Sequence, residues 1–136
     1  MAMIPLHGKK RIEDQLQDPK DEPIIRRWAE EIAKRVPGSE QENAYNVAIA
    51  TFYAITEDAK CTITTETPLA SRPDDIGMDS LDMVKVIIGI EERIGLYDDL
   101  QILELPREKL SEKLRAITIS DILAEVYEEV YKPKTS

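Results

Sequence analysis

Apolar residues recur at intervals of three and four along five segments of the chain, and this spacing predicts five helices. Asp21 and Pro23 mark the start of the first helix, and the pair Pro37-Gly38 marks its end. Gly95 follows the last apolar position of the third helix, where a glycine commonly ends a helix. The predicted helices span residues 22–36, 41–59, 80–94, 107–115 and 119–131.

Two polar stretches fall outside these helices. Residues 1–20 carry charges of both signs and predict a flexible tail. Residues 60–79 hold two prolines and many threonines between the second and third helices, and this length is unusual for a structureless link within a compact domain. Because long loops often carry function, the residues at the end of this loop are candidates for chemistry.

These elements predict the all-α fold class, as an antiparallel bundle of three longer helices and one short helix with an additional N-terminal helix. We expect residues 1–40 to form an N-terminal extension, a flexible tail plus one helix, and residues 41–136 to form the main domain. Trp28 is expected to pack against another helix rather than to bind a partner. Gly89 lies inside the third helix and is expected to let a neighbouring helix approach closely.

Charge restricts the partners of the protein. The 136 residues carry a formal net charge of −9. Nucleic-acid binding needs clustered Lys and Arg, and the sequence offers only Lys9-Lys10-Arg11, so no nucleic-acid partner is expected. An acidic surface favours a monomer that meets basic partners transiently, although charge that only keeps the protein soluble explains the composition as well.

Other function classes find little support in the sequence. The longest apolar run, Val86–Ile90, is too short to insert into a membrane. The single cysteine, Cys61, cannot form an internal disulfide and fits a small buried residue in a reducing, cytoplasmic setting. His7 is the only histidine, so neither a zinc site nor a serine-hydrolase triad is expected, and Ser80 lacks the flanking glycines of a nucleophile elbow.

The run Asp75-Ile76-Gly77-Met78-Asp79-Ser80-Leu81-Asp82 stands where the long loop ends and the third helix begins. A serine in the first turn of a helix keeps its hydroxyl exposed, and a phosphodiester there faces unpaired N–H groups and the positive end of the helix dipole. Simple capping of the helix by Asp79 or Ser80, with Asp82 completing a capping box, is the alternative explanation. Capping does not account for the whole run of residues after a long loop. The run therefore favours a modification site.

This octet resembles the attachment motif of the acyl carrier protein family, in which a glycine, one variable residue and Asp-Ser-Leu stand at the head of the second bundle helix. Glu104-Leu105-Pro106 and Thr118-Ile119-Ser120-Asp121 resemble the approach to the short helix and the start of the last helix in that family. The resemblance covers residues 41–131 and suggests an atypical member with an N-terminal extension. It implies an acyl-carrier-type bundle and a carrier that is not itself an enzyme.

The resemblance also implies a covalent cofactor. A phosphopantetheinyl transferase would attach 4′-phosphopantetheine to Ser80, with Asp79 helping to place the metal and the phosphate in that complex. The arm would carry acyl groups as thioesters between acyl-transferring enzymes or enzymes of fatty-acid, lipid or polyketide synthesis. Partner enzymes are expected to contact Leu81, Asp82, Met83, Glu91 and Glu92, and the acyl chain to lie against Phe52, Val84, Ile87, Ile88 and Leu114.

Several features depart from the family pattern. Lys85 stands where the family usually has an acid, and the link through Tyr97–Leu103 is longer than usual. With residues 1–40, these departures predict a carrier for a specialised pathway. Two alternatives stay open: a peptidyl or aminoacyl carrier, which typically has Gly-His rather than Asp79 before the serine, and an interaction module that keeps the fold without modification. An ordinary solvated helix face explains the acidic residues as well as partner recognition does.

Overall fold

The computed structural model describes residues 16–60, 62–95 and 106–131, and the regular elements in these ranges are all helical. Short 3-10 turns at Pro19–Asp21 and Pro73–Ile76 precede the first and third helices. The five predicted helices are confirmed, with ends shifted by no more than one residue. They are α1 (Glu22–Arg35), α2 (Gln41–Asp58), α3 (Ser80–Ile94), α4 (Arg107–Ala116) and α5 (Ile119–Val130).

Some sequence features lie outside the described residues. These features are the tail up to residue 15 with its basic cluster, Cys61, and the link from residue 96 to residue 105. Within the described ranges, none of the helices combines the length and the apolar character needed to cross a membrane.

Helix α2 lies at the centre of the core and packs against α1, α3 and α5. Every residue from Val47 to Ile55 is buried, because neighbouring helices cover α2 on several sides. Small side chains allow this close packing: a Cβ atom added to Gly89 of α3 would lie 3.4 Å from the Cβ atom of Ala54. The predicted close approach at Gly89 is therefore confirmed.

Helix α1 belongs to the same core. Trp28 is fully buried and stacks edge-to-face on Phe52 of α2, with ring centroids 5.4 Å apart. Ile25 and Ile32, one turn before and after Trp28, are also fully buried, which confirms that Trp28 is a packing residue. The chain was predicted to divide at residue 40, but buried residues on both sides of this position belong to one hydrophobic core.

The start of α1 is held by a contact that the sequence did not predict. Asp21 occupies the N-cap position, but its carboxylate makes no capping hydrogen bond. Instead, its Oδ2 accepts a hydrogen bond of 2.8 Å from the Tyr53 hydroxyl, which in turn accepts one of 2.7 Å from the Gln17 amide. Burial raises the pKa of Tyr53 to about 12.

The directions of the first three helices follow from local contacts. Residues 36–40 form a short link, which makes α1 and α2 antiparallel neighbours. Ala54 of α2 contacts Gly89 in the middle of α3, whereas Lys60, just beyond the end of α2, reaches Asp82 at the start of α3. The end of α2 therefore lies close to the start of α3.

Residues at the end of α5 contact the beginning of α2. The Tyr127 hydroxyl accepts a hydrogen bond of 2.9 Å from the Glu40 amide, and the Tyr131 hydroxyl is bound by the Asn46 side chain. Long connections place little constraint on helix direction, so side-chain packing rather than loop length decides how α5 lies.

Candidate functional site

The loop between α2 and α3 is held against the helices through its backbone. The carbonyl oxygens of Ser71 and Leu69 accept hydrogen bonds of 3.1 and 2.9 Å from the first two amides of α5. Arg27 of α1 donates a hydrogen bond of 2.8 Å to the carbonyl oxygen of Thr67. These contacts anchor the loop before the 3-10 turn at Pro73–Ile76, so the segment that leads into α3 starts from a fixed position.

Gly77 ends this turn and has a structural reason to be glycine. Its φ of 76° lies in the left-handed region that favours glycine. A Cβ atom at this position would also lie 2.6 Å from the Cβ atom of Lys60, closer than real Cβ contacts come. The backbone amide of Lys60 donates a hydrogen bond of 3.0 Å to the Ile76 carbonyl oxygen, which keeps the two segments together. Gly77 thus lets the loop pass close to the end of α2.

Asp79 and Asp82 form a capping box at the start of α3. Asp79 Oδ1 accepts a hydrogen bond of 2.9 Å from the Asp82 amide, and Asp82 Oδ2 accepts one of 3.1 Å from the Asp79 amide. The hydrogen bond from the Asp82 amide is the main cause that lowers the pKa of Asp79. Capping therefore accounts for both acids, and it leaves the serine between them unexplained.

Ser80 is the first residue of α3 and is half-buried. Its hydroxyl makes no hydrogen bond to any residue that the structure describes. The neighbouring Leu81 is 64% exposed. The hydroxyl thus stands at the first turn of α3, on an open surface that a partner protein could reach.

The five predicted partner residues divide between the surface and the core. Leu81 and Glu92 are exposed, and Asp82 is half-buried. Met83 is fully buried and Glu91 is only 8% exposed, so neither offers an open docking contact, and the prediction is corrected for both. The reason is helical geometry, because three- and four-residue steps through the buried Ile87 and Ile90 place Met83 and Glu91 on the buried side of α3.

The predicted acyl-chain residues also divide. Phe52, Ile87 and Leu114 are buried in the core, and Val84 is partly buried against it. Ile88 is 42% exposed, so its predicted place in the interior is corrected to the surface. None of these five residues lines the groove of about 390 Å³ that the structure shows in the loop, whose walls are Thr67, Pro68, Ala70, Ser71, Asp75 and Ile76.

No resident metal site is evident in the part of the chain that the structure describes, since it holds no group of three or more His, Cys, Asp or Glu side chains placed for one. Comparisons of the chain with models of protein families, with curated proteins and with solved structures found no match in any of the three.

Lys60 is a residue beside the start of α3 that sequence reasoning missed. Its Nζ atom lies 3.8 Å from Asp82 Oδ2, and its charge contributes to the lowered pKa of Asp79. A lysine twenty residues before the serine belongs to no local pattern. Only the fold of the loop brings it to the start of α3.

Proposed function

We propose that the protein is an acyl carrier protein whose Ser80 receives 4′-phosphopantetheine and carries acyl groups as thioesters on the thiol of that arm. The observation that carries this proposal is the Ser80 hydroxyl at the first position of α3. It makes no hydrogen bond within the described ranges, whereas the acids on either side of it are bound to the backbone.

The attachment step fits these groups. A phosphopantetheinyl transferase would direct the Ser80 oxygen onto the β-phosphorus of coenzyme A. A new P–O bond forms there, the pyrophosphate linkage breaks, 3′,5′-adenosine bisphosphate leaves, and the hydroxyl proton passes to a base. The amides and dipole at the start of α3 favour the phosphodiester that results. Asp79 is ionised at neutral pH, as an aspartate normally is, and in this role it helps to hold the metal and phosphate in the transferase complex.

The surface around Ser80 suits transient partners. Leu81 and Ile88 lie seven residues apart, on one side of α3, and both are exposed. Asp82 and Glu92 add negative charge to the same helix. Enzymes that load or remove the acyl group would dock here while the carrier itself catalyses nothing. The bundle would then be of the acyl-carrier type, in a monomeric cytoplasmic protein that serves a specialised pathway.

A second candidate is an interaction module that keeps this fold without an arm. The capping box favours it, because helix capping alone explains Asp79 and Asp82. The exposed apolar side chains of Leu81 and Ile88 would serve such a module equally well. The two proposals differ in whether Ser80 is modified.

The deciding experiment is the intact mass of the protein after incubation with coenzyme A, Mg²⁺ and a broad-specificity phosphopantetheinyl transferase. We expect a gain of one phosphopantetheine that Ser80→Ala abolishes. Ser120→Ala is the matched control, because Ser120 also lies in the first turn of a helix but is buried and hydrogen bonded. It should keep the full mass gain, and circular dichroism should show that both variants fold.

An unmodified wild-type protein, in a reaction that modifies a known carrier, would contradict the carrier proposal. Protein purified from its own cells would then be weighed in the same way. An unmodified Ser80 there would favour the interaction module.

A further inference from the structure

The start of α3 needs a positive charge once Ser80 is modified. Asp79 and Asp82 already place two carboxylates on either side of Ser80 in the sequence, and both side chains lie at the first turn. A phosphodiester on Ser80 adds a third negative charge at the same place. First-turn amides offset part of this charge, but like charges a few ångströms apart still repel each other.

Lys60 is fixed beside this start by its backbone. Its amide donates a hydrogen bond of 3.0 Å to the carbonyl oxygen of Ile76. Its Cβ and Cγ atoms pass over Gly77, only 2.6 and 2.8 Å from where a Cβ atom on that glycine would lie. The first part of the Lys60 side chain is therefore held against the segment that leads directly to Ser80.

The ammonium group of Lys60 is, by contrast, loosely held. Its Nζ atom is 3.8 Å from Asp82 Oδ2, beyond hydrogen-bonding distance, and that same oxygen accepts a hydrogen bond from the Asp79 amide. The Lys60 side chain is 70% exposed. An ammonium group on a fixed stem with a weak partner is free to turn toward a new anion nearby.

We propose that Lys60 binds the phosphodiester of the arm on Ser80, an inference that rests on the proposed carrier function. No covalent bond is made or broken: Lys60 exchanges its weak contact with Asp82 for a contact with the phosphate oxygens. It offsets the added negative charge and holds the base of the arm near the end of α2.

The test uses three proteins: the wild type, Lys60→Gln and Lys85→Gln. For each protein, the melting temperature of the unmodified form is compared with that of the fully modified form. Lys85 is the matched control, an exposed lysine on α3 that loses the same charge. At low salt, modification should lower the melting temperature of Lys60→Gln by about 2 °C more than that of the other two proteins. This difference should vanish near 0.5 M salt, where surface charges are screened.

The comparison of modified with unmodified protein separates binding of the phosphate from any purely structural role of Lys60, which would shift both forms equally. Equal shifts in all three proteins would overturn the role of Lys60 and leave the carrier function intact. Failure of the wild type to gain the phosphopantetheine mass would overturn both.

Discussion

Helices α3 and α5 begin with the same local device. Asp79 and Asp82 exchange backbone hydrogen bonds at the start of α3, and Thr118 and Asp121 do so at the start of α5. Each box also encloses a serine in the first turn of its helix. At the level of a few residues, the two starts are therefore nearly interchangeable.

Their surroundings differ. Ser120, in α5, is 7% exposed, donates a hydrogen bond of 2.5 Å to Glu31 and accepts one of 2.6 Å from Arg35, so α1 covers this start. The start of α3 faces outward, and the Ser80 hydroxyl has no partner among the described residues. The comparison teaches that a capping box marks where a helix begins, whereas the neighbouring elements decide whether a serine there is free for chemistry.

Replacing Gly77, which lets the loop pass close to the end of α2, should reduce the stability of the protein more than the other changes considered below. Gly77→Ala forces a left-handed backbone on alanine and drives its Cβ atom into Lys60, so we expect about 3 kcal/mol loss in the free energy of unfolding. Gly38→Ala is the control, since Gly38 has a similar φ of 84° but nothing within 4 Å of the added atom. It should cost about 1 kcal/mol in urea unfolding. Equal costs would show that the contact with Lys60 does not constrain the loop.

Removing the hydroxyl of Ser80 or of Ser120 should change stability by an intermediate amount, and the change should differ between the start of α3 and the start of α5. Ser120→Ala leaves Glu31 and Arg35 without their shared partner, and we expect about 1–2 kcal/mol loss of stability. Ser80→Ala removes no hydrogen bond within the described structure and should change stability by less than about 0.5 kcal/mol. Urea unfolding of both variants measures the contrast. A similar loss from Ser80→Ala would reveal a structural role for its hydroxyl.

The smallest expected effects concern pH and salt. Acid should reduce the stability that each capping box contributes at the start of α3 and of α5, and salt should affect the two contributions differently. At Asp121, burial alone would raise the pKa, but hydrogen bonds from Thr118 and Arg35 outweigh it, so the pKa is lowered, as it is at Asp79. A carboxyl whose pKa is lower in the folded state stabilises the protein above its unfolded pKa, near 3.8, and this stability is lost as the pH falls through the folded value.

We therefore expect Asp79→Asn and Asp121→Asn each to flatten the fall in unfolding free energy below about pH 4. High salt should reduce the contribution of Asp121, which forms an exposed ion pair with Arg35 at 3.1 Å, more than that of Asp79, whose carboxylate is bound mainly by the Asp82 amide. Urea unfolding between pH 2 and pH 5, at low and high salt, measures both effects. Equal salt sensitivity would mean that the ion pair with Arg35 adds little to the stability of the start of α5.

Much of the fold could be predicted from short-range patterns. The ends of the helices, Gly95 after α3 and the Thr118–Asp121 box all appear in the structure where the sequence placed them. These features depend on residues within one helical turn of each other, so their causes can be read along the chain. The same holds for the position of Ser80 at a helix start.

The burial of α3 could not be predicted in the same way. Its sequence carries two adjacent apolar lines, one through Leu81 and Ile88 and the other through Met83 and Ile87. A 3.6-residue period identifies an apolar face but does not say which part of a broad face meets the core. Packing against neighbouring helices buries Met83 and Ile87 and leaves Leu81 and Ile88 exposed, which is why the predictions for Met83 and Ile88 were wrong.

The sequence by itself determined that this protein is helical, where its helices begin and end, and that a serine with an acid on each side in the sequence opens the third of them. The tertiary structure alone decided that Lys60 stands beside that serine's helix start and that α1 covers the start of α5. The physical reason is range: capping and helical periodicity act within a turn, whereas these contacts join residues from 22 to 89 positions apart.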